Sequence, residues 1–354
     1  MKDDHTAHTP IGAAQGTSCR YHGTAVADLF HIRSDLSRAV QDGFVFPLGV
    51  LPAPGIVPNV GWSAQWHELE GEGCCTFHVV TSFDRLQVLL HDAFQLLPED
   101  EVFAILELGS RDAYREVDVY LSRKGMSRSE FLRTWDVFEP ILLEDASLAA
   151  GVNSEVPFVE LFLDPDKGLL IHVASSERER VEALLNSHGL REVDRAGYDF
   201  EQEQLEGISV RPILEDHPDL ICDMDQLLME LKQYWHLELD DDPTVNLDGR
   251  GRRIGRTLWH AVVILEARHE EAVREAHAIM WGTAESRDEM ELLMRERLRK
   301  ERPWEVRDFY VLDRAAFDDR PSDIDWLPPR PEASAVHMIQ IEPLDPPTWM
   351  RRND

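Results

Sequence analysis

The run PFVELFLDPDKGLLIHV, residues 157–173, constrains the fold more than any other segment. Apolar side chains alternate on both sides of Asp-Pro-Asp-Lys-Gly, and that turn chemistry demands an antiparallel hairpin. Centred near Asp166, the hairpin sets His172 opposite Glu160. A strand pair of this kind has one apolar face to bury and one that tolerates water.

The same logic finds strands at 63–69, 74–81, 101–108, 117–122, 208–214, 234–239, 257–265, 306–312 and 336–342. Between them, apolar spacing of three and four predicts helices over 24–43, 86–97, 127–140, 176–188, 221–233, 268–281 and 287–300. Ser127 with Glu130, Ser176 with Glu179 and Ser286 with Glu289 have the spacing of capping boxes. Pro140 is expected to end or kink its helix.

Three stretches, about 62–108, 157–195 and 234–312, share the order strand, turn, strand, helix, strand. The fold class expected is therefore α+β, with antiparallel or mixed sheets, helices packed on one face, and a repeated unit. A doubly wound βαβ alternation is absent. The polar stretch 196–207 reads as a linker, giving a tail at 1–23, one α+β domain at 24–200 and a second at 201–354 with a Pro/Asp-rich C-terminal segment.

Charge limits function. The net charge is −31, from 67 acidic and 36 basic residues. That field repels phosphate backbones and anionic lipid, so direct nucleic-acid binding and membrane association are not expected outside a local basic patch. It suits solubility, a basic protein partner, or mimicry of nucleic acid. The uncharged run from Gly43 to Trp66 is broken by Pro47, Pro52, Pro54 and Pro58, and reads as an apolar loop over a core or along a groove. Cys19, Cys74, Cys75 and Cys222 form neither a zinc spacing nor a disulfide framework. No signal-peptide core begins the chain, so the expected compartment is the cytoplasm.

Trp-His occurs at Trp66-His67, Trp235-His236 and Trp259-His260, and Phe77-His78 follows the first pair. "WHELE" and "WHLEL" read as equivalent strands, tryptophan inward and histidine outward. A turn at Glu72-Gly73 sets His67 opposite His78. A loop centred near Asp248 sets His236 near His260. Opposed Cβ atoms lie roughly 4.5–5.5 Å apart, close enough for two imidazoles to share a metal. His67, His78, His236 and His260 are thus the candidate ligands of a divalent metal, and no other cofactor is expected. The competing account is a wet sheet face needing no metal.

Other motifs are incomplete. Glu266-x-x-His269 with His277 resembles half a di-iron helix, but no second half exists. The 249–255 run spaces its glycines one residue too widely for a dinucleotide fingerprint. Asn246, Asp248 and Gly249 match the middle of a calcium loop, while Thr244 and Gly255 fail its ends. What remains is a two-signed loop, with Asp240, Asp241 and Asp242 at one end. Arg250, Arg252, Arg253 and Arg256 at the other are candidates for binding an anion or a partner. Trp135 reads as core; Trp62, Trp66, Trp326 and Trp349 read as possible interface anchors. Cys75 and His78 point to opposite strand faces and cannot pair as nucleophile and base.

With no catalytic set complete, the leading expectation is a non-catalytic protein that binds a basic protein partner. A metal-dependent hydrolase using the hairpin histidines and an acidic nucleic-acid mimic are the alternatives.

Overall fold

The computed structural model describes residues 29–343 apart from 70–71, 198–207, 219, 249 and 270–271. The expected tail at 1–23, Cys19, Trp349 and most of the expected linker lie outside the described residues.

The strands are β1 (Val40–Gln41), β2 (Phe44–Val45), β3 (Val50–Pro52), β4 (Gly61–Leu69), β5 (Glu72–Val80), β6 (Phe103–Gly109), β7 (Val117–Ser122), β8 (Leu148–Ser154), β9 (Val159–Leu163), β10 (Leu169–Ala174), β11 (Ile208–Val210), β12 (Leu237–Leu239), β13 (Thr257–His269), β14 (Ala272–Ala284), β15 (Glu305–Ala315) and β16 (Ala335–Pro343). The helices are α1 (Phe83–Ala93), α2 (Arg128–Glu144), α3 (Arg178–Ser187), α4 (Met224–Tyr234) and α5 (Arg287–Leu298). Eight strands form one antiparallel sheet in the order β12-β7-β6-β8-β9-β10-β5-β4. Four more form a second, ordered β15-β13-β14-β16. The expected α+β class is what the chain adopts.

Period-two alternation decides which face of the large sheet is dry. Cys75, Phe77 and Val79 of β5, Val159, Leu161 and Leu163 of β9, and Leu169, Ile171 and Val173 of β10 all enter the main core. Leu86, Leu89 and Leu90 of α1, Phe131, Trp135 and Phe138 of α2, Val181 and Leu185 of α3, and Leu227 and Leu231 of α4 meet them there. All four helices therefore lie on one face, and the intervening strand residues form the other.

In α2, the Ser127 hydroxyl accepts a hydrogen bond from the Glu130 N–H at 3.2 Å. The helix runs through Pro140 to Glu144. Pro140 is exposed, on the solvent side of the helix. In α5, Ser286 caps the Glu289 N–H at 3.2 Å, and the Glu289 carboxylate reaches back to the Glu285 N–H at 2.7 Å. The third expected box does not form: a 3-10 turn over Ser175–Glu177 leads into α3, whose N-cap is Glu177.

Several expectations are corrected. Residues 29–39 are not helical; only an isolated bridge, Ile32 to Leu214, occurs there before β1. β8, unmarked by strong alternation, lies between β6 and β9. The segment expected as a helix over 268–281 is β14, paired residue for residue with β13. Its Ala, Glu and Arg content favours helix, but Ala276, Ala278 and Met280 alternate into a core against α5, and packing overrides propensity. The third strand-turn-strand-helix-strand unit is thus β13-β14-α5-β15 and begins at Thr257, not near 234. Elements beyond residue 201 return to the first unit: β11 pairs with β3, α4 joins the main core and β12 pairs with β7.

"WHLEL" is not a counterpart of "WHELE". Trp235 is the C-cap of α4, fully buried and stacked on Phe131 at 5.2 Å, and His236 follows with a left-handed φ of 53°. Trp66 sits on an edge strand, 60% exposed. Trp62, expected near a loop, is core, and Trp326 is exposed. No helix of the described residues is long and apolar enough to cross a membrane.

Candidate functional site

The wet face of the large sheet carries an ordered polar rung. Gln65, Thr76, His172, Glu160 and Asn153 are successive cross-strand partners on β4, β5, β10, β9 and β8. The Thr76 hydroxyl sits between two imidazoles, 3.0 Å from His67 Nε2 and 2.8 Å from His172 Nδ1. His172 Nε2 lies 3.7 Å from Glu160 Oε1, so the expected His172–Glu160 pairing is realised. Burial, then the neighbouring charges of His67 and His78, hold His172 below the usual histidine value. Burial raises the Glu160 carboxyl, which an Asn153 hydrogen bond opposes.

This order of hydroxyl, imidazole and carboxylate has the sequence of roles found in nucleophilic catalysis. The geometry does not complete it. Thr76 is only 4% exposed, and 3.7 Å exceeds a hydrogen bond between base and carboxylate.

Beside it the face ends in a cavity of about 330 Å³. Ser63, Gln65 and His78 form its sheet wall, and Phe44, Val45 and Pro47 from the apolar loop form another. Asp164, Asp166 and Lys167 enter from the β9–β10 turn, and Arg195 from the segment after α3. Lys167 adopts a left-handed φ of 63°, which turns its chain back under the hairpin. Its Nζ donates to the Leu148 carbonyl at 2.7 Å. Burial lowers the ammonium to about 8, while Asp145, Asp164, Asp166 and Glu144 hold it up. Burial raises the Asp164 carboxyl to about 6, against the Gly168 N–H that donates to it at 2.7 Å. Burial also holds His78 below the usual histidine value. The Thr81 hydroxyl, in the same wall, is buried with no hydrogen-bond partner among the described residues.

The four histidines expected as metal ligands do not converge. β4 ends at Leu69 and β5 begins at Glu72 in a register that sets His67 against Cys74 and His78 against Ser63. Moving the turn by two residues shifts cross-strand partners by four and keeps both histidines on the wet face, but apart. His236 follows α4 beside the large sheet, whereas His260 lies in β13, its ring tilted 37° against Trp281 at 4.6 Å and paired with Asp313 in register. The loop between them closes no hairpin, because β12 and β13 belong to different sheets. Glu266, His269 and His277 lie on strands rather than a helix, and His277 contacts Glu342 at 3.3 Å. No cluster of three or more His, Cys, Asp or Glu among the described residues is placed to hold a metal ion.

The two-signed loop is largely self-neutralised. Asp248 accepts from the Arg250 and Arg252 N–H groups, both at 2.9 Å, and from Arg252 Nε at 2.8 Å. Arg253 and Arg256 pair with Glu285, and Arg256 also donates to the Glu332 carbonyl at 2.7 Å. Asp241 and Asp240 pair with Arg115 and Arg123. Asn246 accepts from Gly255, so its oxygen serves the loop backbone.

Sequence reasoning missed Lys167, Asp164 and Arg195. Asp-Pro-Asp-Lys-Gly read as turn chemistry alone. The available signal was Lys167 itself, one of five lysines, set between two apolar strands.

No protein-family model, curated protein or solved structure matches this chain.

Proposed function

We propose that the chain is a binding protein that takes a small polar molecule carrying both charge signs into the cavity beside β5. The observation that supports this reading is the convergence of Lys167, Arg195, Asp164 and His78 on one concave site with partly apolar walls. Its volume falls in the range of small-molecule sites, roughly 300–1,000 Å³. Arg195 suits a carboxylate or phosphate, and Asp164 and Asp166 suit an amine, while Lys167 braces the turn that carries them. The incomplete Thr76–His172–Glu160 arrangement favours binding over turnover. A panel of free amino acids and related zwitterions, screened by thermal shift, tests it. At least one member is expected to raise the Tm of the wild type but not of Arg195→Gln, an exposed position whose change leaves the core intact. A panel without effect, or equal shifts in both proteins, overturns the reading.

A second reading, contact with a basic protein partner, rests on charge. With 67 acidic and 36 basic side chains, internal ion pairing cannot neutralise the acidic excess, which stays available at the surface. Such binding would weaken steeply with salt. A partner captured at low ionic strength and retained unchanged at high salt would count against it.

A further inference from the structure

The end of α5 opens into a second cavity of about 570 Å³, remote in sequence from the first. Its walls include Arg295, Arg299, Arg302, Pro303, Trp304 and Val306. From these the geometry points to a binding site for a planar ring that bears a phosphate, with the arginines on the phosphate and Trp304 against the ring.

In a chain of net charge −31, three arginines lining one groove mark a local reversal of sign. Helix-dipole complementation accounts for part of the basic content. Arg295 and Arg297 stand in the last turn of α5, where they pair with Glu291 and Glu301. Arg299 and Arg302 follow that turn, are exposed, and form no ion pair among the described residues. Glu305, exposed on the rim, is the one carboxylate residue of the lining. Guanidinium forks match phosphate oxygens two at a time, and an indole offers a flat surface on which a heterocycle stacks. Trp304 is half-buried: its backbone N–H bonds the Glu301 carbonyl at 3.1 Å, and its side chain packs on the core under α5, which holds the ring in place. The arrangement therefore offers charge and a platform together, at a volume suited to a small molecule.

Titration of the full chain with adenosine monophosphate, followed by calorimetry, tests this site; adenosine and inorganic phosphate serve as separate probes. Saturable binding of the monophosphate is expected, weaker for each separate probe. Arg299→Gln and Arg302→Gln should each reduce affinity about tenfold, the scale of one charge-assisted hydrogen bond. Trp304→Leu should reduce it for the monophosphate and not for inorganic phosphate. Arg195→Gln, in the other cavity, should leave it unchanged, which separates this site from the one proposed above. Absence of binding by the wild type, equal binding by the arginine variants, or adenosine binding as tightly as its monophosphate would each overturn the proposal.

Discussion

Asp112 and Arg314 join the two sheets: Arg314 Nε lies 2.9 and 2.7 Å from the two oxygens of the Asp112 carboxylate. The Arg314 N–H adds a third contact to Asp112 at 3.2 Å, and the Ala113 N–H donates to the Arg314 carbonyl at 2.8 Å. The side chains are 3% and 11% exposed, so neither charge is well solvated. Removing one partner leaves the other buried and unpaired, at a cost of about 3 kcal/mol or more. Arg314→Met and Asp112→Leu should each lower stability on that scale in urea unfolding. The double variant should lose less than the sum of the two. Additive losses would show that the pair is not coupled.

The Asp164–Lys167 turn makes stability depend on pH in two windows. Asp164 has a folded value of about 6 against an ordinary 3.8, so the folded chain keeps a proton that the unfolded chain has released. Stability should therefore fall as pH rises between those values, by on the order of 3 kcal/mol. Asp164→Asn should flatten that slope. Lys167 has a folded value of about 8 against 10.5, so the unfolded chain binds the proton more tightly. Stability should rise as pH climbs from about 8 to 10.5, and Lys167→Met should abolish the rise. Chemical denaturation across both windows measures the slopes.

His172 should titrate below the ordinary histidine value of 6.5, because burial disfavours its charged form. Its contribution to stability is present above that value and is lost as pH falls through its folded value. Thr76→Val removes the hydroxyl that both His67 and His172 contact. Loss of about 1 kcal/mol is expected, with a changed His172 titration by NMR. An unaltered His172 curve would mean that the hydroxyl does not set its environment.

Gly151 has no room for a methyl group. A Cβ there would stand 2.6 Å from the Leu161 carbonyl and 2.7 Å from the Phe162 ring. Gly151→Ala should cost about 1–3 kcal/mol by forcing β8 from β9. A thermal midpoint equal to the wild type would show that the sheet can yield.

The chain's local chemistry determined the β9–β10 hairpin, most helices and two helix caps. The 157–173 run needed only alternation and a turn, and it set the β9–β10 register, including His172 against Glu160. The same local reading failed where neighbours outvote propensity: β14 is rich in helix formers yet pairs with β13 along its whole length. It failed again where register hung on the connection between β4 and β5, which decides whether His67 faces His78 or Cys74. The candidate site lies beyond local reading for a related reason. Ser63, His78, Lys167 and Arg195 come from four segments, and none carries a motif that points to the others. Their meeting follows from sheet order, which places β5 beside β10 and brings the β9–β10 turn under the apolar loop. Alternation selects the face on which a side chain lies, whereas the packing of distant strands selects its company.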